Sequence, residues 1–244
     1  MAERISRIYF KGDPPDVFKA TFLDIGGAGG FLAAAMAQKG FEATTQDISS
    51  NAARWIPKAN ETLGLRVQKE TASMDALIKR RVQFNIVNVS QVLEHCPDPE
   101  EFTQSLKKLV LPGGLLCIDT PNNDAVLWVF KNFVRKFFHR EDFFNALRPP
   151  EHLWGYTKKG LKPFFERCGF TILSLEDYGL GDPSYQPASR EWYHPLGEYF
   201  AMTQGQKFSV YNFSKQIIAA FDRKIFSSFF GRGGGLSAVL RCPL

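Results

Sequence analysis

The stretch Thr21–Phe31, TFLDIGGAGGF, has the residue types of a binding loop. A dinucleotide loop reads G-x-G-x-x-G, and a register that starts at Gly26 meets Ala28 and Phe31 where glycines are required. The loop also has no lysine, which a nucleoside triphosphate loop needs. The Asp24 carboxylate would repel a pyrophosphate. The stretch therefore favours a ligand that has a cationic end and no phosphate.

S-adenosylmethionine is a ligand of this kind, because it offers a sulfonium, an ammonium, ribose hydroxyls and adenine without any phosphate. The small residues of the loop let the backbone approach such a ligand closely. Asp47 ends the segment FEATTQD, and its carboxylate can accept both ribose hydroxyls. An ordinary loop acid is the alternative interpretation of Asp47.

Three further residues are candidates for proton transfer. Glu94 and His95 occur together in VLEHCPDP, and His152 occurs in PPEHLWG. Histidine titrates near neutral pH, so it suits the deprotonation of a phenol or a sugar hydroxyl. We expect either His95 or His152 to be the general base. The alternative is that Glu94 and His95 cap the following helix and hold the loop.

The elements that must position these residues alternate between strand and helix. Apolar runs predict strands at 20–25, 41–46, 65–70, 84–90, 115–120, 171–179 and 236–242. Helical patterns lie between them, at 31–39, about 51–63, 98 to about 111, and 157–168. This alternation predicts a mostly parallel sheet covered by helices. Residues 1–19 are expected to be a lead-in rather than part of the core.

Ligands of such sheets bind at the carboxyl ends of the strands. The chemically informative residues follow strands in this way, at positions 24–30, 47, 73–75, 90–95 and 120–122. We therefore expect them to form a single site at one edge of the sheet.

Composition limits the classes of protein and partner. The length of 244 residues suits one domain, with a core over about 20–175, a last strand near 236–242, and insertions at about 123–156 and 180–233. A net charge of +5 gives little support to a nucleic-acid partner. The four separated cysteines favour reduced thiols in a cytoplasmic protein, and no apolar run predicts a membrane span or a signal peptide.

Five blocks carry a resemblance to a known family: FLDIGGAGGF, TTQDIS, FNIVNVSQVLEHCPDPEEF, LKKLVLPGGLLCIDTPN and PPEHLWGYTKKGLKPFFERCGF. In this order and spacing they resemble the class I S-adenosylmethionine-dependent methyltransferases. The blocks are most similar to the branch of ubiquinone-biosynthesis O-methyltransferases and of natural-product and sugar methyltransferases. The resemblance covers roughly residues 20–175, and it implies a Rossmann-like fold with a seven-stranded sheet.

The resemblance also implies roles for individual residues. The methionyl part would lie along Asp24, Gly26, Ala28 and Gly30, and Asp47 would bind the ribose. Met74 and Asp75 would flank the adenine. Ser90 and Gln91 would lie beneath the sulfonium. Ala28 and Gly29 depart from the Gly-Thr that is common in the family.

Binding of a divalent metal ion is an alternative role for Glu94, His95 and His152. Some relatives carry Glu-x-x-Glu-His with a later histidine and bind a metal there. Here Gln91 replaces the first acid, leaving Gln91, Glu94, His95 and His152. Loss of one carboxylate weakens such a site, so we predict no bound metal, although the alternative stays open.

The segment 127–144 has phenylalanines on one helical face and basic residues elsewhere. It predicts either a lid over an aromatic acceptor pocket or a helix in peripheral contact with a membrane. With the aromatic stretch 185–212, it favours a large apolar acceptor. The expected reaction is methylation of a hydroxyl on an aromatic, lipid-like or sugar molecule by a monomer or homodimer. The alternative is a non-catalytic S-adenosylmethionine-binding protein.

Overall fold

The computed structural model describes residues 1–12, 19–49, 56–126, 128, 150–179 and 233–244. Its α-helices are α1 (Ala2–Phe10), α2 (Phe31–Gln38), α3 (Ile56–Leu63), α4 (Met74–Lys79), α5 (Pro99–Lys107) and α6 (Lys158–Arg167). Its strands are β1 (Thr21–Ile25), β2 (Glu42–Gln46), β3 (Gln68–Glu70), β4 (Phe84–Ser90), β5 (Val110–Pro121), β6 (Thr171–Tyr178) and β7 (Gly235–Arg241). A short 3₁₀ helix covers Leu93–His95.

The strands form one seven-stranded sheet in the order β3-β2-β1-β4-β5-β7-β6. The pairs among β1 to β5 are parallel, and only β7 runs antiparallel to its neighbours β5 and β6. Strand order reverses between β1 and β4, which is where ligands bind in sheets of this kind. The predicted Rossmann-like architecture is confirmed.

Local sequence signals explain where several helices begin. Asp98 caps α5, because its Oδ1 accepts a hydrogen bond from the Glu101 N–H at 2.9 Å. Thr157 caps α6 in the same way through the N–H of Gly160. Asp98, and not Glu94 or His95, therefore supplies the cap of α5.

Several element boundaries differ from the predictions, among them the start of β3, which lies at Gln68 rather than at residue 65. The helix expected to reach about residue 111 ends at Lys107, because the chain joins the sheet at Val110, which pairs with Phe84. The strand β5 is correspondingly longer than the predicted 115–120, and its pairing with β4 has a register shift. The helix α4, which Ser73 caps, was not expected.

The expectation that residues 1–19 lie outside the core is wrong. Residues Ala2–Phe10 form α1, and Ile5 is fully buried against the sheet and α2. Arg4 is also largely covered, with only 15% of its side chain exposed. The charged residues of α1 obscured its apolar face, because Arg4 points toward the sheet rather than toward solvent.

Alternation along the strands divides the core between two faces of the sheet. One face packs against α1, α2 and α3, and the other packs against α4, α5 and α6. The first face carries Phe22, Ile86, Cys117 and Val239, and the second carries their neighbours in the chain. Both faces end in polar residues at the carboxyl edge of the sheet.

No helix among the described parts of the chain is long and apolar enough to cross a membrane. The four cysteines are all buried and unpaired with one another. The predicted amphipathic segment 127–144 and the aromatic stretch 185–212 lie outside the described residues, apart from Trp128, so both stay predictions.

Candidate active site at the carboxyl edge of the sheet

The glycine-rich loop joins β1 to α2 in a tight path. Gly26, Ala28 and Gly30 have left-handed φ values of 65°, 42° and 68°. A Cβ on Gly26 would lie 2.7 Å from a methyl group of Val92, so this position excludes larger residues. Ala28 is a non-glycine residue in the same backbone region, which costs it conformational energy. The loop is thus built for close backbone approach, with one residue under strain.

Asp24 lies beneath this loop and is buried, with 4% of its surface exposed. Its Oδ1 accepts a hydrogen bond of 2.8 Å from the Asn88 side-chain amide. Burial raises the pKa of Asp24 to about 7 against the opposing effect of that bond, and the nearby Asp119 adds to the rise. Asp24 is therefore a buried acid that a cationic partner would stabilise in its charged form.

Asp47 connects the end of β2 to the loop. Its Oδ2 accepts the backbone N–H of Ala28 at 3.1 Å, and its Oδ1 accepts the N–H of Ser49 at 2.9 Å. Each carboxylate oxygen can accept a second hydrogen bond. Asp47 therefore holds the loop and keeps the acceptor capacity that its predicted role requires.

The other residues predicted to contact a cofactor lie at the ends of β3 and β4. Met74 and Asp75 begin α4, with Met74 half-buried against the core and Asp75 exposed. Ser90 donates from its hydroxyl to Asp119 Oδ2 at 3.1 Å. Gln91 is exposed and has a left-handed φ of 56°, with its N–H bonded to the Asp119 carbonyl. A strained non-glycine residue at this edge is typical of functional sites.

Two residues of this region were missed in the sequence. Asn88 and Asp119 are fully buried polar residues within β4 and β5. The signal was a polar residue that directly follows apolar residues inside each of the runs FNIVNVS and LLCIDT. Such residues need a buried partner, and Asn88 has one in Asp24.

The second cluster begins with Glu94 in the 3₁₀ helix that follows β4. Only 1% of its surface is exposed, and its Oε2 accepts a 3.1 Å hydrogen bond from the Thr120 hydroxyl. Its Oε1 has no hydrogen-bond partner. Burial raises the pKa of Glu94, while the Thr120 bond and the nearby histidines His95 and His152 lower it. A buried carboxylate oxygen without a donor is uncommon and calls for a functional explanation.

His95 lies at the surface beside that oxygen. Its Nε2 is 3.9 Å from Glu94 Oε1, and its Nδ1 is 2.6 Å from the carbonyl oxygen of Glu151. A carbonyl can only accept, so Nδ1 carries the hydrogen, and Nε2 of the neutral ring has a free lone pair. The His152 ring packs edge-on against His95, with centroids 4.8 Å apart. The structure therefore brings Glu94, His95 and His152 together.

The segment 150–156 is held against this 3₁₀ helix by hydrogen bonds. The N–H groups of Leu153 and Trp154 donate to the Glu94 carbonyl at 2.8 and 3.2 Å. The Trp154 indole N–H donates to the Cys96 carbonyl, and the Tyr156 hydroxyl to the Leu93 carbonyl. Leu153 and Trp154 remain more than 40% exposed. They form an apolar surface beside the histidines.

The same three side chains have the donor types of a metal site. One potential ligand atom from each of Glu94, His95 and His152 lies within 4.8 Å of the others. The three residues fit a divalent ion in ligand type, with one carboxylate and two imidazoles.

Comparison with known proteins agrees with the fold and the loop. Residues 1–175 match the family model described as a methyltransferase domain. A ubiquinone biosynthesis O-methyltransferase from Caulobacter sp. (strain K31) is 29% identical over 171 residues, which cover 70% of this chain and 65% of that enzyme. The enzyme of the same description from Paraburkholderia phymatum is 28% identical, over 69% of this chain and 77% of its own length. The chain thus spans just under two thirds of the first of these relatives.

Solved structures share the fold at low sequence identity. An S-adenosylmethionine-dependent methyltransferase from Methanosarcina mazei has a TM-score of 0.56 and 17% identity, over 93% of each chain. A phosphoethanolamine N-methyltransferase from Haemonchus contortus, solved with S-adenosylmethionine, has a TM-score of 0.57 and 15% identity over all of this chain and 52% of its own.

These findings confirm the resemblance to the class I S-adenosylmethionine-dependent methyltransferases. At the level of the family, they also confirm the predictions of a methyltransferase and of S-adenosylmethionine as its cofactor. The chain belongs to the methyltransferase-domain family.

Proposed function

We propose that this protein transfers the methyl group of S-adenosylmethionine to a hydroxyl of a small aromatic, lipid-like or sugar molecule. One observation carries the proposal. The buried Glu94 places an unpartnered carboxylate oxygen beside the free Nε2 of His95, at the same edge of the sheet as the glycine loop. That arrangement suits removal of a proton from an acceptor hydroxyl next to a bound cofactor.

The residues at the loop fit the cofactor on chemical grounds. Asp24 is a buried acid whose charged form a cation would stabilise, and Asn88 Oδ1 is a buried acceptor without a donor, so both suit the cationic methionyl end. Gly26, Ala28 and Gly30 expose backbone along that end. When bound, the cofactor supplies an electrophilic methyl group on its sulfonium.

Four more residues complete the proposed cofactor site. Asp47 would accept the ribose hydroxyls with the capacity left on its two oxygens. Met74 and Asp75 would flank the adenine, the aspartate accepting from the exocyclic amine. Ser90 and Gln91 would lie beneath the sulfonium, which agrees with their positions at the end of β4.

His95 is the proposed general base. Glu151 fixes the ring with hydrogen on Nδ1, so Nε2 accepts the proton of the acceptor hydroxyl as its oxygen forms the bond to the methyl carbon. A bound cofactor would supply the methyl group, and its sulfur would be the leaving group. Glu94 then stabilises the imidazolium, and His152 restrains the ring by edge-on packing. The half-exposed Leu153 and Trp154 suit the apolar body of an acceptor.

Transfer to oxygen, rather than to nitrogen or carbon, is supported by the ubiquinone biosynthesis O-methyltransferases at 28–29% identity. It is also supported by the presence of a base, because a neutral hydroxyl is a weak nucleophile. The base also argues against a protein that binds the cofactor without catalysis.

A metal-dependent reaction is the second candidate, since Glu94, His95 and His152 converge. These residues would hold a divalent ion, which would lower the pKa of a bound acceptor hydroxyl. His95 Nε2 would then be a ligand and not a base. Activity that survives EDTA would remove this candidate.

The test is a screen of phenols and sugars with cofactor labelled in the methyl group. We expect labelled product from at least one acceptor that has a hydroxyl. The same acceptor with that hydroxyl blocked should give no labelled product. Cofactor binding without transfer to any acceptor, including amines and thiols, would instead support a non-catalytic protein. His95→Gln is the matched variant: it keeps a polar side chain but removes the base.

A further inference from the structure

A row of polar side chains crosses the sheet on the face covered by α1. Cross-strand register places the members side by side: Asp24 pairs with Asn88, and Asp119 pairs with both Ser90 and Ser237. Each side chain therefore lies within reach of the next.

Hydrogen bonds join most of this row. The Asn88 amide donates to Asp24 Oδ1 at 2.8 Å and to the Ser90 hydroxyl at 3.1 Å, and that hydroxyl donates to Asp119 Oδ2 at 3.1 Å. At the far end, Arg4 of α1 donates to the Ser237 hydroxyl at 2.5 Å. The row thus connects the cofactor loop to the first helix of the chain.

The charges along the row do not balance. Asp24 and Asp119 are both almost fully buried, with 4% and 3% of their surfaces exposed. Arg4 lies only at the Asp119 end, and it shares its charge with Glu176, 3.5 Å away on β6. Two buried carboxylates therefore depend on one partly committed cation.

Other titratable groups near the pair do not correct this imbalance. The Met1 amino group at the start of α1 lowers the pKa of Asp119 but is its weakest influence, and Cys117 on β5 is a buried thiol that is uncharged near neutral pH. Thr45, the register partner of Asp24 on β2, is neutral. No other charged group of the described chain perturbs either acid.

Removing two ionised carboxylates from water is costly unless each has a partner. Below about pH 7, one of them therefore holds a proton in most molecules of the protein without cofactor. Burial raises the pKa of Asp24 to about 7 and that of Asp119 to about 6. Arg4 stabilises the charge on Asp119, so Asp24 is the acid that keeps the proton.

We propose that binding of S-adenosylmethionine releases a proton from Asp24, and that Asp119 and Arg4 set the pH at which this happens. The cationic end of the cofactor becomes the missing partner of Asp24, so the proton leaves to the solvent. This inference rests on the proposed function, since it needs the cofactor to lie beside Asp24. Asp119 and Arg4 act here as positioning residues that never touch the cofactor.

The test is calorimetry of S-adenosylmethionine binding in two buffers of different ionisation enthalpy, which gives the number of protons released. We expect about 0.9 proton at pH 6 and about 0.5 at pH 7. The affinity should rise several-fold between pH 6 and pH 8. Binding without proton release at pH 6 would overturn the inference but leave the proposed function standing. Absence of binding at every pH would instead remove the proposed function.

Two variants should each lower the number of protons released. Asp119→Asn removes a charge that raises the pKa of Asp24, so the proton release at pH 6 should fall to about half. Arg4→Met removes the cation that keeps Asp119 charged, so Asp119 competes with Asp24 for the proton and the release at pH 7 should decrease, while Arg4→Lys should restore the wild-type value. Glu42→Gln, at an exposed acid, is the control and should change nothing. Equal proton release in wild type and Asp119→Asn would contradict the role of Asp119. If Arg4→Met fails to fold, the result for Asp119→Asn alone tests the inference.

Discussion

The two halves of the candidate site are built in different ways. On the cofactor side, the buried polar groups stand on strands, so cross-strand register fixes Asp24 and Asn88 relative to each other. On the acceptor side, Glu94 and His95 lie on a 3₁₀ helix, and His152 lies on a segment outside the sheet that hydrogen bonds and side-chain packing hold against that helix.

This difference separates binding from chemistry. A strand-borne site gives the same precise environment to a cofactor that never changes, whereas loop-borne residues can be altered to suit different acceptors. We therefore expect changes on the acceptor side to alter catalysis while leaving cofactor affinity intact. Changes on the cofactor side should alter affinity and stability together.

The largest expected effect is on the acceptor side. His95→Ala should lower kcat by roughly 10²–10⁴-fold, because it removes the proposed general base. The Kd for S-adenosylmethionine should stay within about twofold of wild type. Steady-state kinetics with an identified acceptor, together with calorimetry, measures both. An equal loss of cofactor affinity would break the separation between the two halves.

Asp24→Asn should stabilise the protein at alkaline pH and weaken the binding of S-adenosylmethionine. The folded pKa of about 7 lies above the unfolded value near 3.9, so the native state binds more protons and wild-type stability is lost as pH rises through 7. Relative to wild type, the variant should gain about 2–4 kcal/mol at pH 8 and little at pH 4. Urea unfolding at both pH values measures this gain. A gain of the same size at both would show that Asp24 is not a buried titrating acid.

Thr120→Val removes the hydroxyl that donates a hydrogen bond to the buried Glu94 carboxylate. Loss of the hydroxyl leaves a buried carboxylate with no side-chain donor, which costs about 1–3 kcal/mol at pH 8. The cost should shrink as the pH falls, because burial raises the pKa of Glu94 and its neutral form needs the hydroxyl donor less. Thr103→Val is the matched control, since Thr103 is equally buried but bonds to the backbone carbonyl of Pro99. Its cost should not depend on pH.

The smallest expected effect is at the loop. Ala28→Gly should raise the free energy of unfolding by about 0.5 kcal/mol, because glycine adopts the left-handed φ of 42° without strain. The gain is not larger because glycine also increases the conformational entropy of the unfolded chain. Ala35→Gly in α2 is the control and should lower stability by roughly 1 kcal/mol. Destabilisation by both variants would show that Ala28 is not strained.

The sequence predicted strand residues better than it predicted contacts between residues that are distant in the chain. Strand positions and the residues that follow them were predictable, because the apolar runs and the Gly-rich turn lie next to one another in the chain. Asn88 and Asp119 left a readable signal as polar residues in apolar runs. Arg4 left none, since its partners Ser174 and Ser237 are distant in sequence. The pairing of Glu94 with Thr120 is equally non-local.

Several predictions remain untested by the structure, among them the roles of all the predicted site residues. The roles of Met74, Asp75, Ser90 and Gln91 depend on a ligand, and the segment 127–144 lies beyond the described residues. The division into a single domain with two insertions is also still a prediction. The outcome for Asp47 was partly foreseeable, because its position after β2 was correct, but its bond to the Ala28 N–H required the fold.

The central claim is that the loop edge binds S-adenosylmethionine with Asp47 on the ribose. Calorimetric titration of wild type, Asp47→Ala and the exposed control Glu42→Ala with S-adenosylmethionine and with NAD tests it most directly. We predict binding of S-adenosylmethionine alone, with affinity roughly 10–100-fold weaker in Asp47→Ala and unchanged in Glu42→Ala. Binding of NAD in its place, or an unchanged affinity in Asp47→Ala, would contradict the account.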